Sequence, residues 1–160
     1  METFFNPSSV AIVGATEKPG SLPGIILKNL LDMGFQGKIY PVNPKYKTVF
    51  GLTCFPSIRD ITDEVALTVI AIPAQLVLEV VQQQAQKGIR HAIIISAGFR
   101  EMGAEGIEME ERIKRIAREN DMSILGPNCL GVLDNYTNFT TSFLSWERVS
   151  YPKKGSLSIL

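Results

Sequence analysis

The chain has 160 residues, 45% hydrophobic and 20% charged, and its 16 basic and 16 acidic side chains cancel. That is enough chain for one domain with a real core, and the neutral balance gives no global field to draw nucleic acid or an anionic membrane. Any bound anion must therefore be met locally. No run approaches the roughly 20 apolar residues of a membrane span. METFFNPSS at the start lacks the basic residues and long apolar run of a signal peptide, which points to the cytoplasm. Cys54 and Cys129 have neither metal-ligand spacing nor a disulfide framework and read as free thiols.

VAIVGA at 10–15 opens the chain's regular structure, and four segments share its character: KIYPVN at 38–43, LTVIAIPA at 67–74, HAIIISAGF at 91–99 and MSILGPNCLG at 122–131. Each is a short β-branched run ending in Gly, Pro, Asn or Ser, the pattern of a strand buried on both faces and followed by a turn. After the first, Ser21 is placed to cap a helix with Ile26, Leu27, Leu30 and Leu31 as its apolar stripe, Pro23 in its first turn and Gly34 at its end. Residues 48–62 are less regular, and CFPSIRDI at 54–61 reads as a short helix or loop between the second and third strands. The helix after Pro73 turns Leu76, Val77, Val80 and Val81 inward and stops at Gly88. From Gly103 to Asn120, Glu101, Glu105 and Glu108 come early and Arg115 and Arg118 late, as the helix dipole prefers. Glu108 with Arg112, Glu110 with Lys114, and Glu111 with Arg115 form i,i+4 pairs on what reads as a solvated face, with Ile113, Ile116 and Ala117 turned inward.

Strand, helix and strand in repetition predict an α/β, Rossmann-like parallel sheet of about five strands with helices on both faces. NYTNFTTSFLSWERVSYPKKG is polar and irregular, and SLSIL at 156–160 begins to look like another strand. The expected organisation is one domain over 1–150, with 151–160 as linker and start of a following domain.

In an open parallel sheet, ligands sit at the carboxyl ends of the strands where the order reverses. The first strand-to-helix loop, GATEKPGSLPG, removes Cβ atoms at Gly14 and Gly20, offers hydroxyls at Thr16 and Ser21, and leads to helix-start amides that favour an anion. The alternative is a loop that only turns the chain. Its glycine spacing is not the dinucleotide fingerprint GxGxxG, and no GK[ST] follows as in a P-loop.

NAD-binding domains place an acid at the end of the second strand, where this chain has Val42-Asn43-Pro44-Lys45. A lysine there suits a phosphate on the ribose, as in NADP or coenzyme A, or is simply a solvated surface residue. Ile72-Pro73-Ala74, Ser96-Ala97-Gly98 and Gly126-Pro127-Asn128-Cys129 bring small residues or backbone to the same edge, which fits a long, thin ligand. Pro73 also serves as a helix start and Gly98 as a turn. His91, the one histidine, precedes a buried strand without a neighbouring acid and reads as structural.

FFNPSSVAIVGAT at 4–16, KIYPVNPKY at 38–46, VIAIPA, ISAGFREMG at 95–103 and GPNCLG at 126–131 together resemble, in order, the coenzyme A-binding domain of NDP-forming acyl-CoA synthetases. That family comprises ADP-forming acetyl-CoA synthetases and the α subunit of succinyl-CoA synthetase, and VNPKY and SAGF bring the chain nearer the acetyl-CoA branch. The resemblance implies that Gly14, Ala15, Thr16, Gly20 and Ser21 meet the phosphates and adenosine end of coenzyme A, with Lys45 by the 3′-phosphate. Ile72, Pro73 and Ala74 then border the adenine and pantetheine path, Ser96, Ala97 and Gly98 touch the arm, and Asn128 and Cys129 lie near its thiol.

The implied reaction interconverts acyl-CoA, ADP and phosphate with acid, coenzyme A and ATP, through an acyl phosphate and a phosphohistidine. The histidine belongs to a following domain and the nucleotide to an ATP-grasp domain or subunit, so no catalytic residue is expected in this chain. Pro23 departs from the family pattern by removing one helix-start amide. The alternatives are a coenzyme A-sensing, synthetase-like domain of a protein acetyltransferase and an NADP-binding reductase domain.

Overall fold

In the computed structural model, which describes residues 2–145, 150 and 153–155, each of the five β-branched segments forms a strand. The strands are shorter than their segments because the terminal Gly, Pro, Asn and Ser residues leave the ladder. In chain order the elements are β1 (Ser9–Val13), α1 (Leu22–Asp32), β2 (Lys38–Val42), β3 (Thr48–Val49), β4 (Leu52–Thr53) and β5 (Leu67–Ile70). There follow α2 (Ala74–Lys87), β6 (His91–Ile94), α3 (Ala104–Glu119), β7 (Ser123–Leu125), β8 (Leu133–Asp134) and β9 (Phe139–Thr140). SLSIL lies outside the described residues, as does the expected linker apart from 153–155.

The main sheet is parallel in the order β2-β1-β5-β6-β7. Side chains alternate across a strand, and here both sets are apolar. Val10 and Ile12 of β1, Leu67 and Val69 of β5, and Ile93 of β6 pack toward Ile26, Leu27 and Leu30 of α1. Ala11, Val13, Ile70 and Ile94 face the other way, toward Val77 and Val81 of α2 and Ile113 of α3. The sheet is thus covered on both faces, as expected. Among the described residues, no helix is long and apolar enough to cross a membrane.

The short helix or loop expected at CFPSIRDI is there as a single helical turn at Ile58–Asp60, preceded by a β3–β4 hairpin that was not expected. Other local expectations are corrected. The stretch read as irregular, which begins at Asn135, contains β9, paired as a hairpin with β8 just before it. Its Phe139 is fully buried beside Phe35, and α1 holds the following segment through Asn29, whose Nδ2 donates to the Ser142 and Leu144 carbonyls at 3.0 and 2.8 Å. Ser21 occupies the N-cap position but its hydroxyl donates back to the Lys18 carbonyl at 2.8 Å, so it does not cap. Leu76 is 51% exposed, because the concave edge of the sheet, and not its core, lies beside the first turn of α2.

The third helix departs from a wholly solvated face at Glu110. Its side chain is only 9% exposed, accepts from Arg100 Nε at 2.9 Å and lies 3.0 Å from Lys114 Nζ. Lys114, and not Arg115, pairs with Glu111. The Arg100 hydrogen bond, against the opposing effect of burial, holds the Glu110 carboxyl below the ordinary carboxylate range.

Two outcomes follow for stability. Ile12→Ala, at a fully buried central position, should cost about 2–5 kcal/mol in urea unfolding, whereas Glu108→Ala on the exposed face should cost within about 0.5 kcal/mol. A carboxyl depressed in the folded state contributes stability that is present above its unfolded pKa and lost as pH falls through its folded one. Glu110→Gln should therefore show a shallower loss of unfolding midpoint on acidification than the parent, and parallel curves would refute this role.

Candidate functional site

The chain leaves β1 through α1 to β2 on one side and re-enters at β5 on the other, so the strand order reverses at β1. Loops leaving strands on opposite sides of such a point diverge and leave a crevice beyond the carboxyl ends. A groove of about 490 Å³ occupies this place. It is lined by Gly14 and Thr16 after β1, Asn43 to Tyr46 after β2, and Ala71, Ile72 and Pro73 after β5, together with Ser57, Ile58, Leu76, Glu79 and Gln83.

Gly14, Thr16, Lys45, Ile72 and Pro73 are thus brought together around one groove. Ala15 is fully buried beneath them, and Ala74 is buried as the first residue of α2. Gly20 lies on the opposite side of the loop, in a larger hollow of about 840 Å³ shared with Glu17, Lys18, Gly24, Lys28, Asp32 and Leu144. That hollow holds carboxylates as well as amines and gathers none of the other expected contacts. Ser96, Ala97, Gly98, Asn128 and Cys129 do not line the groove and instead carry the same edge onward past β6 and β7.

Three contacts shape the groove. Asn43 donates its Nδ2 to the Ala15 carbonyl at 2.9 Å and accepts from the Lys45 N–H at 3.0 Å, tying the first loop to the end of β2. Thr16 Oγ1 accepts from the Lys18 N–H at 3.1 Å and donates to Tyr46 Oη at 3.2 Å, which leaves the Tyr46 hydroxyl hydrogen for a ligand. Lys45 is exposed and has no ion-pair partner among the described residues. On α2, Gln83 accepts from Ser57 Oγ at 2.9 Å and donates at 3.0 Å to Glu79, which adds a carboxylate to the lining.

Asn43 and Tyr46 escaped the sequence reading as contacts, although an Asn-Pro pair is a turn signal. Glu79 and Gln83 carried no signal, since they resemble any exposed helical face.

Ser96 is buried and its hydroxyl is committed, donating to the Ile72 carbonyl at 2.6 Å and accepting the Ile72 N–H at 3.1 Å. Cys129 Sγ donates to the Ile94 carbonyl at 3.5 Å, and burial pushes its thiol pKa up, which disfavours a thiolate. His91 packs edge-on against Phe4 at 5.4 Å, a structural contact.

The family described as the CoA binding domain matches residues 8–135. This chain belongs to the CoA-binding domain family. It is 45% identical over 161 residues to acetate–CoA ligase (ADP-forming) II of Archaeoglobus fulgidus, covering 100% of this chain and 23% of that protein. It is 42% identical to the ADP-forming acetate–CoA ligase of Methanocaldococcus jannaschii over 96% of this chain and 21% of that one. In fold it matches the dinucleotide-forming acetyl-coenzyme A synthetase 1 of Ca. Korarchaeum cryptofilum, solved with phosphate and ADP, at a TM-score of 0.84 and 39% identity, covering 89% of this chain and 30% of that one. The chain therefore spans about a fifth to a third of these relatives.

Within this CoA-binding domain the two loop glycines have different physical reasons. Gly14 has φ of +97°, and a Cβ there would sit 2.6 Å from the Ala71 carbonyl oxygen, so its bareness lets two strand ends close together. Gly20 has φ of +74° with nothing within 4 Å of a Cβ. Gly20→Ala should cost about 1 kcal/mol, the backbone penalty alone; Gly14→Ala should cost more and lower the melting temperature further, because the Ala71 backbone must also move.

Proposed function

We propose that the groove takes the phosphorylated adenosine end of coenzyme A and that its arm runs along the sheet edge toward Asn128 and Cys129. The carrying observation is the polarity of the groove. Its lining combines the Lys45 amine and the Tyr46 hydroxyl with an apolar shelf of Ile58, Ile72, Pro73 and Leu76 and, on α2, Glu79 and Gln83. A phosphate is drawn to the amine and repelled by the carboxylate, so the 3′-phosphate goes to Lys45 and the uncharged adenine to the shelf. Thr16 and the first loop border the pyrophosphate. The apolar groove with a few convergent polar groups is the form small-molecule sites take.

The protein, on this reading, is an ADP-forming acyl-CoA ligase, supported by the identity to acetate–CoA ligases across nearly the whole chain. The domain holds the acceptor thiol while acyl phosphate and phosphohistidine chemistry takes place on a following domain and an ATP-grasp domain or subunit. Two free thiols support a reducing compartment, the cytoplasm.

Titration calorimetry tests the assignment. Coenzyme A should bind, and both removal of its 3′-phosphate and Lys45→Ala should weaken binding by about tenfold, the scale of one charge-assisted contact. Lys45→Ala should make no further difference to the dephospho form. Equal affinities across the set would remove Lys45 from the site, and preferential binding of NADPH in competition would favour a reductase instead.

A further inference from the structure

Beyond the groove, hydrogen bonds join the three loops of the sheet edge into one rim. Ser96, after β6, holds Ile72 after β5 through its hydroxyl. Asn128, after β7, donates its backbone N–H to the Ser96 carbonyl at 3.0 Å. Glu101 closes the set: its Oε1 accepts from the Gly98 N–H at 2.7 Å and from Asn128 Nδ2 at 3.2 Å.

This second bond decides how the Asn128 carboxamide is turned. An ionised carboxylate only accepts, so the group facing Glu101 must be the NH₂, and Oδ1 is directed away from it as an acceptor. Glu101 is ionised at neutral pH, since donation from the Gly98 N–H holds it below the ordinary carboxylate range. A fixed negative charge is also badly placed for a phosphate, which argues that an uncharged part of the ligand passes here.

We propose that Glu101 is a positioning residue of the coenzyme A site, fixing the Gly98 turn and the Asn128 carboxamide so that Asn128 Oδ1 accepts from an amide N–H or the thiol of the ligand's uncharged arm. It rests on the reading that the arm follows this edge. Glu101 acts through Asn128 and contributes nothing to the phosphate end.

The test compares coenzyme A with adenosine 3′,5′-bisphosphate, which lacks the arm, by calorimetry on the full-length protein. Glu101→Ala should weaken coenzyme A about tenfold, the upper scale of one net hydrogen bond, and leave the bisphosphate unchanged. Glu101→Gln keeps an acceptor for both donors and should restore coenzyme A affinity to within about twofold of the parent. Asn128→Ala should show the same selective loss, and adding Glu101→Ala to it should cost nothing more, because the two act as one unit. Should Glu101→Ala fail to fold, Asn128→Ala and Glu101→Gln carry the test.

Unchanged coenzyme A affinity in Glu101→Ala or Asn128→Ala, equal weakening of both ligands, or additive losses would overturn the proposal, as would a Glu101→Gln variant as weak as the alanine. Failure of the parent protein to bind either ligand would instead remove the coenzyme A reading itself.

Discussion

Every residue of β1, from Ser9 to Val13, is buried, because β2 and β5 pair with its two edges and apolar layers cover its two faces. A strand so placed can hold a polar side chain only if its hydrogen bonds are met. Ser9 meets this by donating to the Glu64 carbonyl at 3.0 Å and accepting from the Ala66 N–H at 2.9 Å. The burial of β1 is also what places the site. The strand order reverses at an element paired along both edges and covered on both faces, so the floor of the groove is rigid while the loops around it diverge. Gly14 is the junction between the two: the next strand's backbone comes so close that no side chain fits.

A neutral chain that grips a polyanion must separate its charges over short distances. Here the separation is local, with Lys45 after β2, Glu79 on α2 and Glu101 beyond β6. Two of these charges are carboxylates, and each stands where an uncharged part of the ligand belongs on the proposed path. Negative charge then works as a guide, because it costs a phosphate energy to lie in the wrong direction while leaving an amide arm indifferent.

The sheet was legible because a doubly covered parallel strand needs nearly continuous apolar residues, which VAIV, LTVI and HAII display directly. The helices were legible wherever a stripe faced the sheet. What escaped were elements built from few residues. The β3–β4 and β8–β9 hairpins have two residues per strand, too short for any period to show, and Leu76 belongs to a stripe by spacing but stands over the groove. The placement of Gly14, Thr16, Lys45, Ile72 and Pro73 around one groove was legible because strand ends at an order reversal must meet. The ties that hold them, from Asn43 to Ala15 and from Ser96 to Ile72, join residues 28 and 24 positions apart and have no local signature.

The commitment of hydroxyls bears on how such a site gains affinity. Thr16 and Ser21 read from the sequence as hydroxyls offered to a ligand and Ser96 as a contact to its arm, yet each donates within the protein: Thr16 to Tyr46, Ser21 to Lys18 and Ser96 to Ile72. Groups so engaged lose less entropy when a ligand arrives, because the loops they hold are already ordered. On the proposed path, what remains for the ligand is backbone, one phenol, one amine and one carboxamide oxygen, each held by a neighbour or lying at a strand end. Coenzyme A is long and flexible, and immobilising it is costly. A rim whose loops are cross-linked in advance limits the ordering cost to the ligand, which is the physical reason to spend three hydroxyls on the protein's own carbonyls and phenol.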